Sequence, residues 1–266
     1  MRMLLSKYSL LIFLALSISC SPARNSDGTL KAVPEKFANL GNNLCQALTK
    51  NPNILKEAIR SVDLSAESFQ KFAKVYNKAP AGKSELDSLA EKIVKNLNNR
   101  DATVAKAPVK GLYRAIEKTS IVYEGDPTQL KDLIRNTIVS PASKIAEVKK
   151  LLNQNRAVVS ETFATSDPLG YSGINSKFLT KDGVWGEIQV NTPGMIYAKE
   201  DANTTRLILG DKKFESLREK LKGFEPGLGH HYYEQWRSPA ASASKKAKIE
   251  IKSKDYYNSI RETLGE

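Results

Sequence analysis

The sequence is poor in cysteine, histidine and long apolar runs. Its 266 residues include only two cysteines, Cys20 and Cys45, and two adjacent histidines, His230 and His231. So few cysteines exclude the disulfide framework of small secreted domains. Neighbouring histidines point in different directions and no third ligand stands near them, so they do not read as a metal centre. No apolar stretch reaches the roughly 20 residues that a membrane-spanning helix needs. Acidic residues are also scarce: 29 Asp and Glu face 41 Lys and Arg, for a formal charge of +12. That excess suits polyphosphate, nucleic acid or an anionic membrane surface, and equally a solvated basic surface.

The N-terminal residues have the layout of a secretory leader. Arg2 and Lys7 precede an apolar run, Leu10 to Leu16, and small residues follow at Ser17 and Ser19. Cys20 sits directly after these small residues, an arrangement that resembles a bacterial lipobox. The expectation is a signal peptide over 1–19, acylation (palmitate included) of Cys20, and a lipid tether over 20–33. The product would be an exported lipoprotein on the periplasmic face of the outer membrane or the cell surface. Removing Arg2 and Lys7 with the leader leaves a charge of +10. With Cys20 acylated, Cys45 has no partner within the chain, and no disulfide-linked partner is expected.

Residues 34–98 read as a helical region. Phe37, Leu40, Leu44 and Leu48 recur at spacings of three and four, as do Leu55, Ile59 and Val62. Asp63 and Ser65 offer helix starts, and Ala79 to Lys83 (APAGK) predicts a break. The pattern changes over 104–237. A helix is expected from Pro108 to Ser120, where Lys110, Arg114 and Lys118 would share one face. That triplet is either a solvated stripe or a holder of phosphates. A short helix at Thr128–Leu133, a strand at Ile134–Val139, a helix at Ser143–Leu152 and a strand at Ala157–Phe163 follow. The final segment, 238–266, reads as a Ser/Ala linker and a basic tail with a solvated helix.

Lys181-Asp182-Gly183 joins two further strands as a hairpin signal. Along the second strand, Val184, Ile188 and Val190 point one way, while Trp185, Glu187, Gln189 and Asn191 point the other. A carboxylate and two amides in line serve either solvent or a charged ligand.

The segment KGLYRAIEKTSIVYEGDPTQLKDLIRNTIV, then DPLGYSGINSKF and GEIQVNTPGMIYAKE, resembles the RelA/SpoT synthetase-like family. A basic segment, an Asp-x-x-Arg element (Asp132 and Arg135), a Gly-Tyr motif and a Glu-Ile-Gln strand occur in the family's order. The Asp-x-x-Arg is the compact form of a less studied branch, and Gly227–Arg237 resembles that branch's closing helix. The resemblance implies an α+β fold, a mixed sheet flanked by helices of the nucleotidyltransferase type.

It also implies a pyrophosphokinase, a transferase moving pyrophosphate from ATP to a nucleotide or tRNA ribose hydroxyl. That chemistry serves guanosine tetraphosphate-type metabolism or a toxin. Lys110, Arg114, Lys118 and Arg135 would hold phosphates. Asp132 and Glu187 would be catalytic and hold Mg²⁺, with Glu187 also accepting the hydroxyl proton. Tyr171 would stack on the acceptor base, and Asn175 and Gln189 would bind substrate. An immunity protein is a possible partner.

Two motifs, the Gly-Tyr segment and the Glu-Ile-Gln strand, depart from the family's pattern. The classical synthetases carry Arg and His near Ser172 and Asn175, and Arg where this chain has Asn191. No HD-type hydrolase motif is present. The competing reading is a non-catalytic exported lipoprotein that uses the same fold to bind a nucleotide or polyanion.

Overall fold

In a computed structural model of the chain, residues 64–266 are described. The leader, Cys20, Cys45 and the helices expected before residue 64 lie outside the described residues. The fold is α+β, with a mixed five-stranded sheet and eight α-helices among the described residues. The strands are β1 (Thr103–Lys106), β2 (Ile134–Val139), β3 (Val158–Thr162), β4 (Gly173–Leu179) and β5 (Trp185–Asn191), in sheet order β1-β2-β5-β4-β3. The β1–β2 and β3–β4 pairs are antiparallel, with Thr103 opposite Val139 and Val158 opposite Lys177. Among the described residues, no helix is long and apolar enough to cross a membrane.

The described chain divides into two compact units. One holds 64–85, 108–135 and 179–186; the other holds 86–107, 136–178 and 187–266.

In the first unit the leading element is helix α1 (Ala66–Asn96), which continues past residue 85. Ser65 caps its start by accepting the Ser68 N–H at 3.1 Å. Phe69, Phe72, Ala73, Tyr76 and Ala79 are buried at helical spacing, and the rings of Phe72 and Tyr76 stack 5.5 Å apart. The expected break at 79–83 does not occur: Pro80 lies inside the helix. An interior proline costs about 3 kcal/mol. Burial of the stripe on either side, Ala79 and Leu86 at 0% exposure, offsets that cost. Gly82 has a packing reason. A Cβ there would meet Ile134, Thr180 and Val184 at 3.2–3.3 Å, so the helix lies close against β2 and the hairpin.

Helix α2 spans Leu112–Ile121 with Gly111 as its cap, four residues later than expected. Lys110 is therefore not helical; its N–H donates to the Leu133 carbonyl at 2.8 Å. The expected helix at Thr128–Leu133 is only a 3-10 turn, Pro127–Gln129, capped by the Asp126 side chain.

The second unit carries α3 (Ile145–Gln154), α4 (Pro193–Lys199), α5 (Ala202–Leu209), α6 (Asp211–Lys220), α7 (Leu228–Arg237) and α8 (Ala243–Leu264). Its core joins Met195, Tyr197 and Ala198 of α4 to Phe214 and Leu217 of α6 and to Tyr256, Tyr257 and Ile260 of α8. The solvated helix expected in the basic tail is thus corrected. Ile249, Ser253, Tyr256, Tyr257 and Ile260 form a buried stripe, while the lysines between them stay outside. Gly229 of α7 permits the crossing, because a Cβ there would collide with the Tyr257 ring.

Candidate active site

Local structure places the expected site residues in two groups, one in each unit. In the first unit Asp132 sits in the turn before β2. Lys118, near the end of α2, reaches its Oδ2 at 2.8 Å, and Lys110 reaches the same oxygen at 3.3 Å. Lys110 is held in turn by Tyr76, whose hydroxyl donates to the Lys110 carbonyl at 3.0 Å. The Asp132 side chain is only 17% exposed. Its Oδ1 is buried and has no hydrogen-bond partner among the described residues. Burial would raise the Asp132 carboxyl, but the charge of Lys110 and the bond and charge of Lys118 outweigh it and hold it below the carboxylate range. For Lys118, burial lowers the ammonium, and the Asp132 hydrogen bond and charge turn the balance upward.

The remaining cations of this unit behave differently. Arg114 pairs with Glu117 at 3.0 Å on its own helix rather than with Asp132. Arg135, the second residue of β2, is partly exposed between buried Ile134 and Asn136. With Lys110 outside the helix, the three-cation stripe does not form as expected. Two lysines converge on one carboxylate instead, leaving a local charge of +1 that suits a phosphate.

In the second unit β5 alternates as its sequence requires. Ile188 and Val190 are fully buried, and Glu187 and Gln189 lie on the partly exposed face. Gln189 Nε2 donates to Glu187 Oε1 at 2.6 Å. Lys199 Nζ, from the end of α4, donates to Gln189 Oε1 at 3.1 Å and lies 3.1 Å from Glu200 Oε1. Tyr171 donates its hydroxyl to Asn191 Oδ1 at 2.6 Å, and its ring centroid is 5.9 Å from Lys199 Nζ. Burial pushes the Tyr171 phenol up, against the charge of Lys199. Asn191 is 2% exposed, so it binds Tyr171 rather than solvent. Asn175 lies on β4 opposite Ser160, partly exposed. His230 and His231 are exposed on α7; His230 lies 3.6 Å from Glu234 and His231 contacts Gln235.

No family model matches the sequence. The chain is 43% identical over 194 residues to the (p)ppApp synthetase toxin Tas1 of Pseudomonas aeruginosa (strain UCBPP-PA14), across 73% of this chain and 43% of that protein. It therefore spans less than half the length of this curated relative. The crystal structure of the Type VI effector Tas1 with its immunity protein matches at TM-score 0.68 and 42% identity, covering 73% of this chain and 97% of that one. The chain belongs to the RelA/SpoT-like synthetase family. A more distant likeness joins it to a GTP pyrophosphokinase family protein from Streptococcus pneumoniae, at 16% identity and TM-score 0.39, over 76% of this chain and 93% of that one.

In this RelA/SpoT-like chain, sequence reasoning missed Lys199. It lies ten residues beyond Gln189, in a helix whose own pattern marks it only as a basic residue in the last turn. The missed packing of Tyr257 against Tyr171, 6.0 Å between ring centroids, likewise joins segments far apart in the chain.

Proposed function

We propose that the chain transfers pyrophosphate from ATP to a ribose hydroxyl of an adenosine nucleotide, a reading supported by its likeness to a protein named a (p)ppApp synthetase toxin. The carrying observation is the pair of lysines on one oxygen of Asp132. An arriving triphosphate meets two ammonium groups already converged within 3.3 Å of a common point. Positioning and charge neutralisation are most of what phosphoryl-type transfer asks of a protein. In the reaction the acceptor hydroxyl oxygen bonds to the β-phosphorus of ATP. The bond from that phosphorus to the bridging oxygen on the α-phosphate breaks, and AMP leaves. The hydroxyl proton passes to Glu187. Arg135 adds a planar donor fork for phosphate, and Arg114 would exchange Glu117 for one.

The residues fit Mg²⁺. Asp132 keeps one buried oxygen unpartnered, and no group of three or more His, Cys, Asp or Glu side chains is gathered among the described residues. Mg²⁺ takes one or two carboxylates and leaves its other positions to phosphates and water. Asp132 would hold it, and when bound it would neutralise charge on the phosphate oxygens.

Tyr171 offers its ring to the acceptor base, with its hydroxyl held by Asn191. Asn175 and Gln189 supply further polar contacts. We further propose export through the leader, anchorage through Cys20, and a dedicated immunity protein, by analogy with the complexed Tas1. One observation favours the non-catalytic reading: Asn191, buried against Tyr171, brings no cation where the family pattern has arginine.

The test is to incubate the purified chain with Mg²⁺, γ-labelled ATP and a panel of adenosine and guanosine nucleotides and tRNA. Label transferred to an adenosine nucleotide, with AMP released in equal amount, is the expected result. Nucleotide binding without any transfer would establish the binding module instead.

A further inference from the structure

We infer that Lys199 is a positioning residue that orients Glu187 through Gln189, an assignment that deepens the transfer reaction proposed above and rests on it. The three side chains form a directed chain. Lysine carries donors only and a carboxylate acceptors only, whereas the glutamine amide has one of each. Lys199 Nζ donates to Gln189 Oε1, which turns Gln189 Nε2 toward Glu187 Oε1. Both ends demand the same orientation of the amide, so it does not flip. The terminal torsion of a glutamate is broad and nearly two-fold, and little else fixes it. Here the Gln189 amide takes up Oε1 and leaves Oε2 for the acceptor hydroxyl.

The ammonium is well placed for a lasting role. Its side chain is only 25% exposed, and it lies beside the Tyr171 ring as well as against Gln189. One cation therefore touches both parts of the acceptor site: the base-stacking ring, and the amide that holds the proton acceptor. It also brings positive charge to this face of the unit, where β5 has none. The rival account is an ordinary ion pair with Glu200. Such a pair between neighbouring, partly exposed residues contributes little, and it does not require the bond to Gln189.

The experiment compares the full-length wild type with Lys199→Met and Lys199→Arg. In the wild type, the Gln189 side-chain amide protons should give two separated, protected NMR signals, assigned by their loss in Gln189→Glu. Lys199→Met should collapse them toward solvent-averaged values, and Lys199→Arg should keep them. In the transfer assay, kcat for Lys199→Met should fall by up to about 100-fold, the scale of a displaced catalytic group, with KM for ATP within about twofold. Lys199→Arg should recover most of the loss. An unchanged Gln189 signal in Lys199→Met overturns the inference, as does a collapsed signal with kcat unchanged. An inert wild type overturns the transfer reaction alone, and the amide signals still decide whether Lys199 sets the orientation.

Discussion

Lys118 and Asp132 stand fourteen positions apart in the sequence and meet at 2.8 Å, with Lys110 sharing the same carboxylate oxygen. The cluster is partly buried, so it bears on stability as well as binding. The Asp132 carboxyl is held below its ordinary value of about 3.9. Its contribution is therefore present above that pH and disappears as pH falls through the lower folded-state value. Lys118 is raised above its ordinary value of about 10.4, so its contribution is complete below that pH and disappears as pH rises through the folded-state value. In urea unfolding, stability should decline at both ends. Asp132→Asn should abolish the acid-side decline of this cluster and lower stability near neutral pH by about 1–3 kcal/mol, because two ammonium groups lose the negative charge they share. An unaltered acid limb in Asp132→Asn would refute the assignment.

Glu187→Gln should end transfer while ATP binding persists, since the amide preserves size but neither carries charge nor accepts the proton. Lys118→Ala should instead weaken ATP binding. Its effect should be smaller at high salt, where Coulombic attraction between partly exposed charges is screened. Isothermal titration at two salt concentrations, alongside the transfer assay, separates the two.

Tyr171→Phe and Tyr171→Ala should differ. Removing the hydroxyl strips buried Asn191 of its donor, a loss of about 1 kcal/mol in thermal unfolding, with the ring left for the acceptor. Removing the ring should raise KM for the acceptor and leave KM for ATP unchanged. Equal acceptor KM in both variants would show that Tyr171 serves the core alone.

Gly170 has φ of +80°, and a Cβ on it would approach the backbone of Lys254 in α8 to 2.9 Å. Arg261 fixes the same turn by donating to the Gly170 carbonyl at 3.0 Å. Gly170→Ala should therefore cost about 1–3 kcal/mol, measured by chemical unfolding. A neutral result would mean that α8 yields there.

Metabolic palmitate labelling tests the leader, whose residues lie outside those described. The wild type should take up label and Cys20→Ser should not. An unlabelled wild type with a mature N-terminus at or beyond Cys20 would refute acylation and leave export standing.

Local patterning made part of this protein legible in its sequence. The Ile134–Val139 strand, the Lys181-Asp182-Gly183 hairpin and the two faces of β5 follow from alternation along an extended chain, a property of neighbouring residues alone. Gly183, at φ +78°, is the turn residue the hairpin demanded. The family's motifs were equally legible because they occur in order along the chain. What tertiary structure alone decided were the outcomes that depend on distant partners. Pro80 stays helical because the stripe around it is buried. Lys110 leaves its helix because its N–H pairs with Leu133. The basic tail becomes a packed helix because Tyr256 and Tyr257 find the α4 and α6 side chains. Lys199 meets Gln189 only after α4 turns back along β5. Periodicity states which side of an element is apolar. It does not state what that side will meet, because the free energy of burial belongs to the pair and not to either segment.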